Sequence, residues 1–404
     1  MRTIYVEKQI PRMLLTKAIA SRWPDFVWTP LSAARVVDLP DPPLPGPRWI
    51  RLRNLACGIC ASDLSLLFVH ADPSVAPAAL PATQRFYLGH ETVSVVTQVG
   101  PQVTRVRPGD RVIMDTHFSG ANCFTLERQE LCPMCAAQEP HFCFHKSAPG
   151  PRGIGGGFGD GYITHETAVH PCPPELSLDQ AVLVEPIAVA LHAVMRHPPR
   201  EGEKVLVVGA GIIGLLTVMA LRALVPEVEI AVIARYPHQQ EMARRLGADH
   251  ILPQGDSQAV ARIAGGTFYA APLNRGLVVG GFHRIYDCVA NPRTTYDALR
   301  WVRPNGSVVM VGAHMAPMPR IDLTPLWYHQ VALVGVYAHG VDEWQGRRQH
   351  TYDWVYELFA EEKLPVQGLI THRFPLEAYR EAIRVAMDKR GHRSIKVVFQ
   401  MEDL

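Results

Sequence analysis

The run Lys204-Val-Leu-Val-Val-Gly-Ala-Gly-Ile-Ile-Gly214 constrains the fold more than any other stretch of the chain. Four apolar residues, Val205 to Val208, suit a strand buried on both faces. Three glycines follow as Gly209-x-Gly211-x-x-Gly214, and an apolar stretch then continues at helical length to about Leu224. Strand, tight turn and helix in that order make a seat for a pyrophosphate. Gly209 permits the turn, Gly211 admits a phosphate close to the backbone, and Gly214 lets the helix pack on the strand. Ile212 and Ile213 open the helix, whose first N–H groups are free to meet an anion. A glycine-bearing turn without a ligand is the bland alternative. The flanking strand and helix favour the nucleotide.

Downstream the pattern keeps alternating. Ile230-Ala-Val-Ile233 reads as a strand, about Pro237 to Leu246 as a helix, and Ile285, Val308–Val311 and Val331–Val334 as further strands. Such alternation predicts an α/β domain with a doubly wound parallel sheet. The segment 254–284 is longer than an ordinary connection and rich in glycine, which predicts a surface insertion. Upstream, residues 49–184 hold short β-branched runs such as Thr92–Val99, broken by Gly, Pro and Asp, and predict an irregular β-rich domain. Residues 1–50, proline-dense at 38–47, read as loop, turn and short strands, an N-terminal extension. A helix near 377–389 and a strand at 395–399 close the chain. A chain of 404 residues also asks for two domains. The expected boundaries are 1–186 for the β-rich domain, 187–338 for the nucleotide domain and 339–404 for a return to the first.

An acid about 20 residues past the glycines would hold the ribose 2′-OH of NAD. Here Ala234 and Arg235 stand at that place. Losing the carboxylate removes repulsion from a 2′-phosphate, and a guanidinium binds phosphate with two prongs. NADP(H) is therefore expected over NAD(H), with a merely solvated Arg235 as the competing reading.

Eight cysteines are present, and Cys123, Cys132, Cys135 and Cys143 fall within one short segment. Four thiolates in a loop with Pro133 and Pro140 suit a closed structural zinc site, and Cys132-x-x-Cys135 is its most specific part. The long first spacing weakens the case for Cys123, and free thiols are the alternative. Upstream, Cys57-Gly-Ile-Cys60-Ala-Ser-Asp63 and Gly89-His-Glu91 offer one thiolate, one imidazole and carboxylates. Three such ligands leave a fourth position open for a substrate oxygen.

A formal net charge of +2 gives no reason to expect a nucleic acid or an acidic membrane as partner. Arg2, Glu7, Lys8 and Arg12 interrupt the N-terminus, so no export signal is expected and a cytoplasmic location follows. Two uncharged runs, between Lys204 and Arg222 and between Asp322 and Asp342, are respectively too short and too polar for a membrane span, so no membrane association is expected.

The chain resembles the zinc-dependent medium-chain dehydrogenase/reductase superfamily of the alcohol dehydrogenase type. The resemblance rests on Cys57–Asp63, Gly89–Glu91, Pro108-Gly-Asp-Arg-Val112, the four-cysteine lobe, Val184-Glu-Pro-Ile-Ala-Val-Ala-Leu-His192, Gly209–Gly214, Arg245-Leu-Gly-Ala-Asp249, Asp287-Cys-Val289 and Leu369-Ile-Thr-His-Arg-Phe374. These motifs keep the family's order over residues 45–399. The resemblance implies a GroES-like catalytic domain beside a Rossmann cofactor domain. It implies catalytic zinc on Cys60, His90 and Glu185, with Glu91 close by and able to exchange as a ligand. Asp63 would fix the histidine ring, Ser62 would take the substrate proton, and Cys57 would be a buried bystander. Glutamate at 185 followed by proline resembles the polyol and threonine dehydrogenase branch. Two departures stand out. Ser65 occupies the place of a histidine that often passes the proton onward, and the four-cysteine lobe carries extra residues between Cys123 and Cys132.

The expectation is a small alcohol, polyol or amino alcohol, or its carbonyl form, as substrate. Family habit adds a homodimer or homotetramer. The competing readings are a zinc-free quinone or enone reductase of the same superfamily, and a catalytically silent NADP-binding protein. Neither needs Cys60, His90 and Glu185 to converge.

Overall fold

A computed structural model describes residues 1–70, 72, 84–271, 275–319 and 321–401. The chain divides into two compact units, Met1–Glu185 with Ile370–Leu404, and Pro186–Leu369.

The first unit is built on an eight-stranded sheet. Its main path runs Ile370–Phe374, Lys396–Gln400, Trp49–Gly58, Glu91–Val99, Arg111–Met114 and Val169–Pro171, with Gly161–His165 and Ile154–Gly155 added off the Trp49–Gly58 strand. Ile50, Leu52, Val96, Val112, Tyr162 and Val169 form one buried layer of it. Register matters most at one end. Gly58 lies opposite Glu91 on one side and Val398 on the other. Segments hundreds of residues apart in sequence, around Cys60, His90 and Lys396, thereby leave the sheet at one place.

A smaller sheet in the order Ala34–Asp38, Arg2–Glu7, Arg85–Tyr87 backs this end. The expectation of loop and short strands for 1–50 needs correction. The helix Ile10–Ala20 and a 3-10 turn at Pro24–Trp28 lie between the two N-terminal strands. The helix buries only Met13, Thr16 and Ala20, while Ile10 and Leu14 face outward, so its apolar residues show no one-sided period. It also lacks a capping side chain. Its inner face joins Leu67, Phe68, Ile383 and Phe399 in a core that runs behind the catalytic-side elements.

The second unit holds a six-stranded parallel sheet, ordered His250–Leu252, Glu229–Ile233, Lys204–Val208, Phe282–Asp287, Val302–Met310 and Ala332–Gly335. This is the doubly wound arrangement, and the order reverses beside the Lys204–Val208 strand. The predicted insertion at 254–284 is corrected. It contains the crossover helix Ser257–Ala264 and a hairpin of Thr267–Tyr269 with Leu277–Val279. Val260, Ala261, Val278 and Phe282 are buried in the sheet's core. The helix is a normal βαβ connection, and only the hairpin is added.

The return to the first unit begins at Ile370 and not at residue 339. The hairpin Val341–Trp344 with Arg347–His350, and the helix Thr351–Ala360, stay with the nucleotide unit. Their anchor is a buried polar cluster: Asp342 meets His192 Nδ1 at 2.8 Å and accepts from Thr351 Oγ1 at 2.7 Å. Tyr352, Val355 and Leu358 complete the packing.

Among the described residues one helix, Leu178–Arg196, is long and apolar enough to cross a membrane, and 72% of that window is buried inside the protein. Of the two runs weighed from sequence, the first is the strand Lys204–Val208 plus the helix Ile212–Leu224. The second contains the short helix Thr324–Tyr328 and the strand Ala332–Gly335.

Candidate active site

The strand Trp49–Gly58 ends and Cys60 starts a short helix, Ala61–Leu67. Asp63 closes this start. Its carboxylate accepts from Cys60 N at 3.2 Å and, across the fold, from Gly89 N at 2.9 Å. It also faces His90 Nδ1 at 3.4 Å. One buried carboxylate thus sets the backbone of the cysteine, the backbone before the histidine and the histidine ring itself. Burial opposes ionisation of Asp63, but His90 and these N–H donors outweigh it and hold its pKa low. Burial likewise opposes a charged His90, and Asp63 with Cys60 lifts its pKa well above the usual value. Gly89 turns at φ +84°, and a Cβ there would strike Phe158 and the Cys57 sulfur. Cys57 is fully buried and accepts from Thr92 Oγ1 at 3.3 Å, a packing role.

The ligand atoms of Cys60, His90 and Glu91 all lie within 4.8 Å of one another. Thiolate, imidazole and carboxylate at that spacing suit zinc. Glu91, however, has another partner. Lys396, 1% exposed, forms a buried ion pair with Glu91 and donates to Ile59 O at 3.2 Å. Gly58 makes the room, since a Cβ there would collide with the Glu91 carboxylate and the Lys396 stem. Burial works against the ammonium, yet Glu91 and Cys60 raise its pKa. Neither Lys396 nor Gly58 was singled out from sequence. The signal was a lysine in an otherwise apolar strand, Ile395-Lys-Val-Val-Phe399, which reads equally as a strand end reaching solvent.

Glu185 stands apart from the close group of three but within electrostatic reach of it. It is 5% exposed and has no hydrogen bond or ion pair among the described residues. Burial pushes its pKa up to about 7; His90 and Lys396 pull against this, and Glu91 and Asp63 add to it. Pro186 follows it inside the helix, where proline leaves the carbonyl one turn earlier without its N–H partner. Ser62 is half-buried, and its hydroxyl likewise makes no hydrogen bond among the described residues.

The four-cysteine lobe is compact. Cys123, Cys132, Cys135 and Cys143 are buried with all four sulfurs within 4.8 Å of one another. Cys143 Sγ lies 3.8 Å from Cys123 Sγ and 3.7 Å from Cys132 Sγ. A tetrahedron with Zn–S bonds of about 2.3 Å has edges of roughly 3.8 Å, whereas a disulfide needs about 2.05 Å. Backbone N–H groups of Cys132 and His145 point at the Cys123 and Cys143 sulfurs, each at 3.3 Å, as thiolates require. The extra residues after Cys123 loop outward without removing it from the set.

In the nucleotide unit, Gly211 caps the helix Ile212–Leu224 with no side chain over its N–H groups. Gly209 turns at φ +94°, and a Cβ on Gly214 would overlap the Gly209 carbonyl. This cradle fits a pyrophosphate. Asp287, which sequence left without a role, fixes the neighbouring loop by accepting from Val289 N, Ala290 N and Thr294 Oγ1 at 3.1, 2.8 and 2.9 Å. Val289 from that loop covers Gly209. At the end of the second strand Ala234 is buried, and the exposed Arg235 lies over the Tyr236 ring at 5.6 Å.

Comparison with known proteins gives the same picture. The alcohol dehydrogenase GroES-like domain matches residues 46–174, and the zinc-binding dehydrogenase domain matches residues 213–352. An L-idonate 5-dehydrogenase of Vitis vinifera is 27% identical over 361 residues, 88% of this chain and 89% of that protein. A sorbitol dehydrogenase of Arabidopsis thaliana is 28% identical over 360 residues, 89% and 90% of the two chains. The 2R,3R-butanediol dehydrogenase of Bacillus subtilis shares the fold with a TM-score of 0.68 at 24% identity, covering 91% of this chain and 96% of that one. With both domain matches and the full-length relatives in agreement, the chain belongs to the zinc-dependent medium-chain alcohol dehydrogenases, on their polyol-dehydrogenase branch, and is an oxidoreductase of that family.

Proposed function

We propose that this enzyme moves hydride between a polyol or related secondary alcohol, in either redox form, and NADP(H), with catalytic zinc on Cys60, His90 and Glu185. The observation that carries this ligand choice is the contrast between two carboxylates. Glu91 is neutralised by Lys396, whereas Glu185 is buried and makes no hydrogen bond or ion pair among the described residues. A carboxylate in that state calls for a cation. Relatives named for sorbitol and L-idonate support a polyhydroxylated substrate.

Zinc supplies Lewis acidity to the alcohol oxygen, and the nicotinamide supplies the hydride acceptor. The chain's own groups do the rest. Asp63 holds the His90 ring through Nδ1, so that Nε2 faces the metal position. The Ser62 hydroxyl takes the alcohol proton. Ser65 offers no imidazole to carry that proton onward. Lys396 pairs with Glu91 and so lets two carboxylates share the neighbourhood. Arg235 grips the 2′-phosphate where an acid would favour NAD. The four-cysteine lobe holds a second, structural zinc. Four metal-binding thiolates and no disulfide among the cysteines suit a reducing, cytoplasmic compartment.

The strand Ala332–Gly335 ends the parallel sheet, and Leu323, Trp327 and Tyr328 are exposed near it in sequence. An open edge with apolar neighbours favours self-association as a dimer.

The test is a panel of polyols, aldonates and their keto forms, assayed with both cofactors on metal-analysed protein. Turnover of polyols with NADP+ preferred is expected. Arg235→Ser is expected to raise the NADP+ KM about tenfold and leave the NAD+ KM nearly unchanged. A wild-type preference for NAD+ overturns the cofactor reading, and activity only on enones overturns the alcohol reading.

A further inference from the structure

The nucleotide unit contains a cavity that the reaction scheme does not use. It opens against the last turns of the helix Ile212–Leu224, at Met219, Ala223 and Leu224. The dinucleotide cradle lies at the other end, where Gly211 caps the same helix. Thirteen residues rising about 1.5 Å each put the two places about 20 Å apart. The cavity holds about 520 Å³, a size that suits a small molecule, and every residue lining it lies within Pro186–Leu369.

Two chemistries meet in it. Met219 and Leu246, 2% and 3% exposed, are its most buried lining, and Pro226 and Pro365 add apolar surface. Arg222, Arg245 and Lys363 bring three positive charges, and among the described residues no aspartate or glutamate lines it. The three cations are not equally committed. Arg222 is held in place: Nη2 meets Asp249 at 2.8 Å and donates to Gly247 O at 2.6 Å, and Nη1 donates to Val228 O at 3.1 Å. Arg245 Nη2 donates to Gln367 O, but its Nε and Nη1 make no hydrogen bond, and its guanidinium has no carboxylate partner, among the described residues. A guanidinium has five N–H donors, so most of these remain for a ligand. Lys363 meets Glu361 at 2.7 Å, yet both side chains are about half exposed, and such a surface pair is easily exchanged.

We propose that this cavity binds an amphipathic anion. A carboxylate or phosphate head sits on Arg245 and Lys363, and an apolar body lies against Met219, Leu224 and Leu246. Arginine offers the head a two-pronged contact and lysine a point charge. A cationic ligand would meet three like charges, and a neutral one would leave the spare Arg245 donors unused. The proposal goes beyond the alcohol reaction: it involves neither metal group nor the dinucleotide cradle.

The experiment is isothermal titration of the intact, zinc-loaded enzyme with saturating NADPH present throughout, so that the cradle is filled. The probes are octanoate, octyl phosphate and the neutral octanamide. One saturable site per chain is expected for the anions, with octanamide at least about tenfold weaker. The tighter of the two anions identifies the head group. Arg245→Gln weakens the anion about tenfold and Lys363→Gln about threefold, while kcat and KM for the alcohol stay within about twofold. The proposal is overturned if neither anion saturates, if octanamide binds as tightly as the anions, or if both variants keep the wild-type Kd within twofold, which would place the anion elsewhere. Should Arg245→Gln fail to fold, Lys363→Gln, at an exposed side chain, decides alone. Absence of all alcohol turnover would remove the proposed function and leave this titration unaffected.

Discussion

The two candidate zinc sites differ in composition, and the difference separates architecture from chemistry. The lobe at Cys123–Cys143 offers four identical soft donors, all buried and mutually within 4.8 Å. Nothing is left over, and no position is open. The group around Cys60 and His90 mixes sulfur, nitrogen and oxygen, and it has one carboxylate more than a three-ligand site needs. The surplus is managed by Lys396, which occupies Glu91, and by the isolation of Glu185. A closed, uniform set can only hold a loop together. An incomplete, mixed set with an idle hydroxyl nearby at Ser62 can turn a substrate over.

The largest expected effect breaks the catalytic side alone. Cys60→Ser and His90→Ala should each lower kcat by about a thousandfold or more, since several kcal/mol of Lewis-acid assistance disappear. Zinc content should fall to the one ion of the lobe, and thermal stability should hardly change. The opposite pattern is expected for Cys132→Ser or Cys135→Ser. There the melting temperature drops by several degrees and activity falls only as folded protein is lost, because the metal contributes folding free energy. Metal analysis and calorimetry on the two sets test the separation, which fails if both sets behave alike.

A smaller effect probes what positions the open site. Asp63→Asn keeps the size but loses the charge facing His90, and a loss of about 10- to 100-fold in zinc affinity or activity follows. The smallest expected effect lies away from both metals. His165 is buried against Trp49, and burial lowers its pKa to about 4. A histidine with a depressed native pKa is neutral when folded but takes a proton when unfolded below about pH 6.5. Stability should therefore fall as pH drops from about 6.5 to 4, by up to about 3 kcal/mol. His165→Gln should flatten that slope in denaturant titrations, whatever the state of either metal. An unchanged slope would remove His165 from the acid response.

How far the sequence reveals these regions depends on how local their determinants are. Gly209, Gly211 and Gly214 are legible because strand, turn and helix are contiguous. The Cys132-x-x-Cys135 pair is legible for the same reason. The helix Ile10–Ala20 is not, because it turns Ile10 and Leu14 outward and buries Thr16. The later return at Ile370 escapes notice because His192 and Asp342, which tie down the hairpin, are 150 residues apart. Lys396 and Glu91 are a comparable case. The sheet register alone sets them side by side, and no local pattern in either strand announces the pair.

The most direct measurement compares zinc stoichiometry and zinc X-ray absorption in Glu185→Gln and Glu91→Gln. Glu185→Gln should lose or loosen the catalytic zinc, with one oxygen ligand gone from the mixed site and the four-sulfur signal intact, while Glu91→Gln keeps both ions. Loss of zinc in Glu91→Gln, with the metal fully retained in Glu185→Gln, would contradict the assignment.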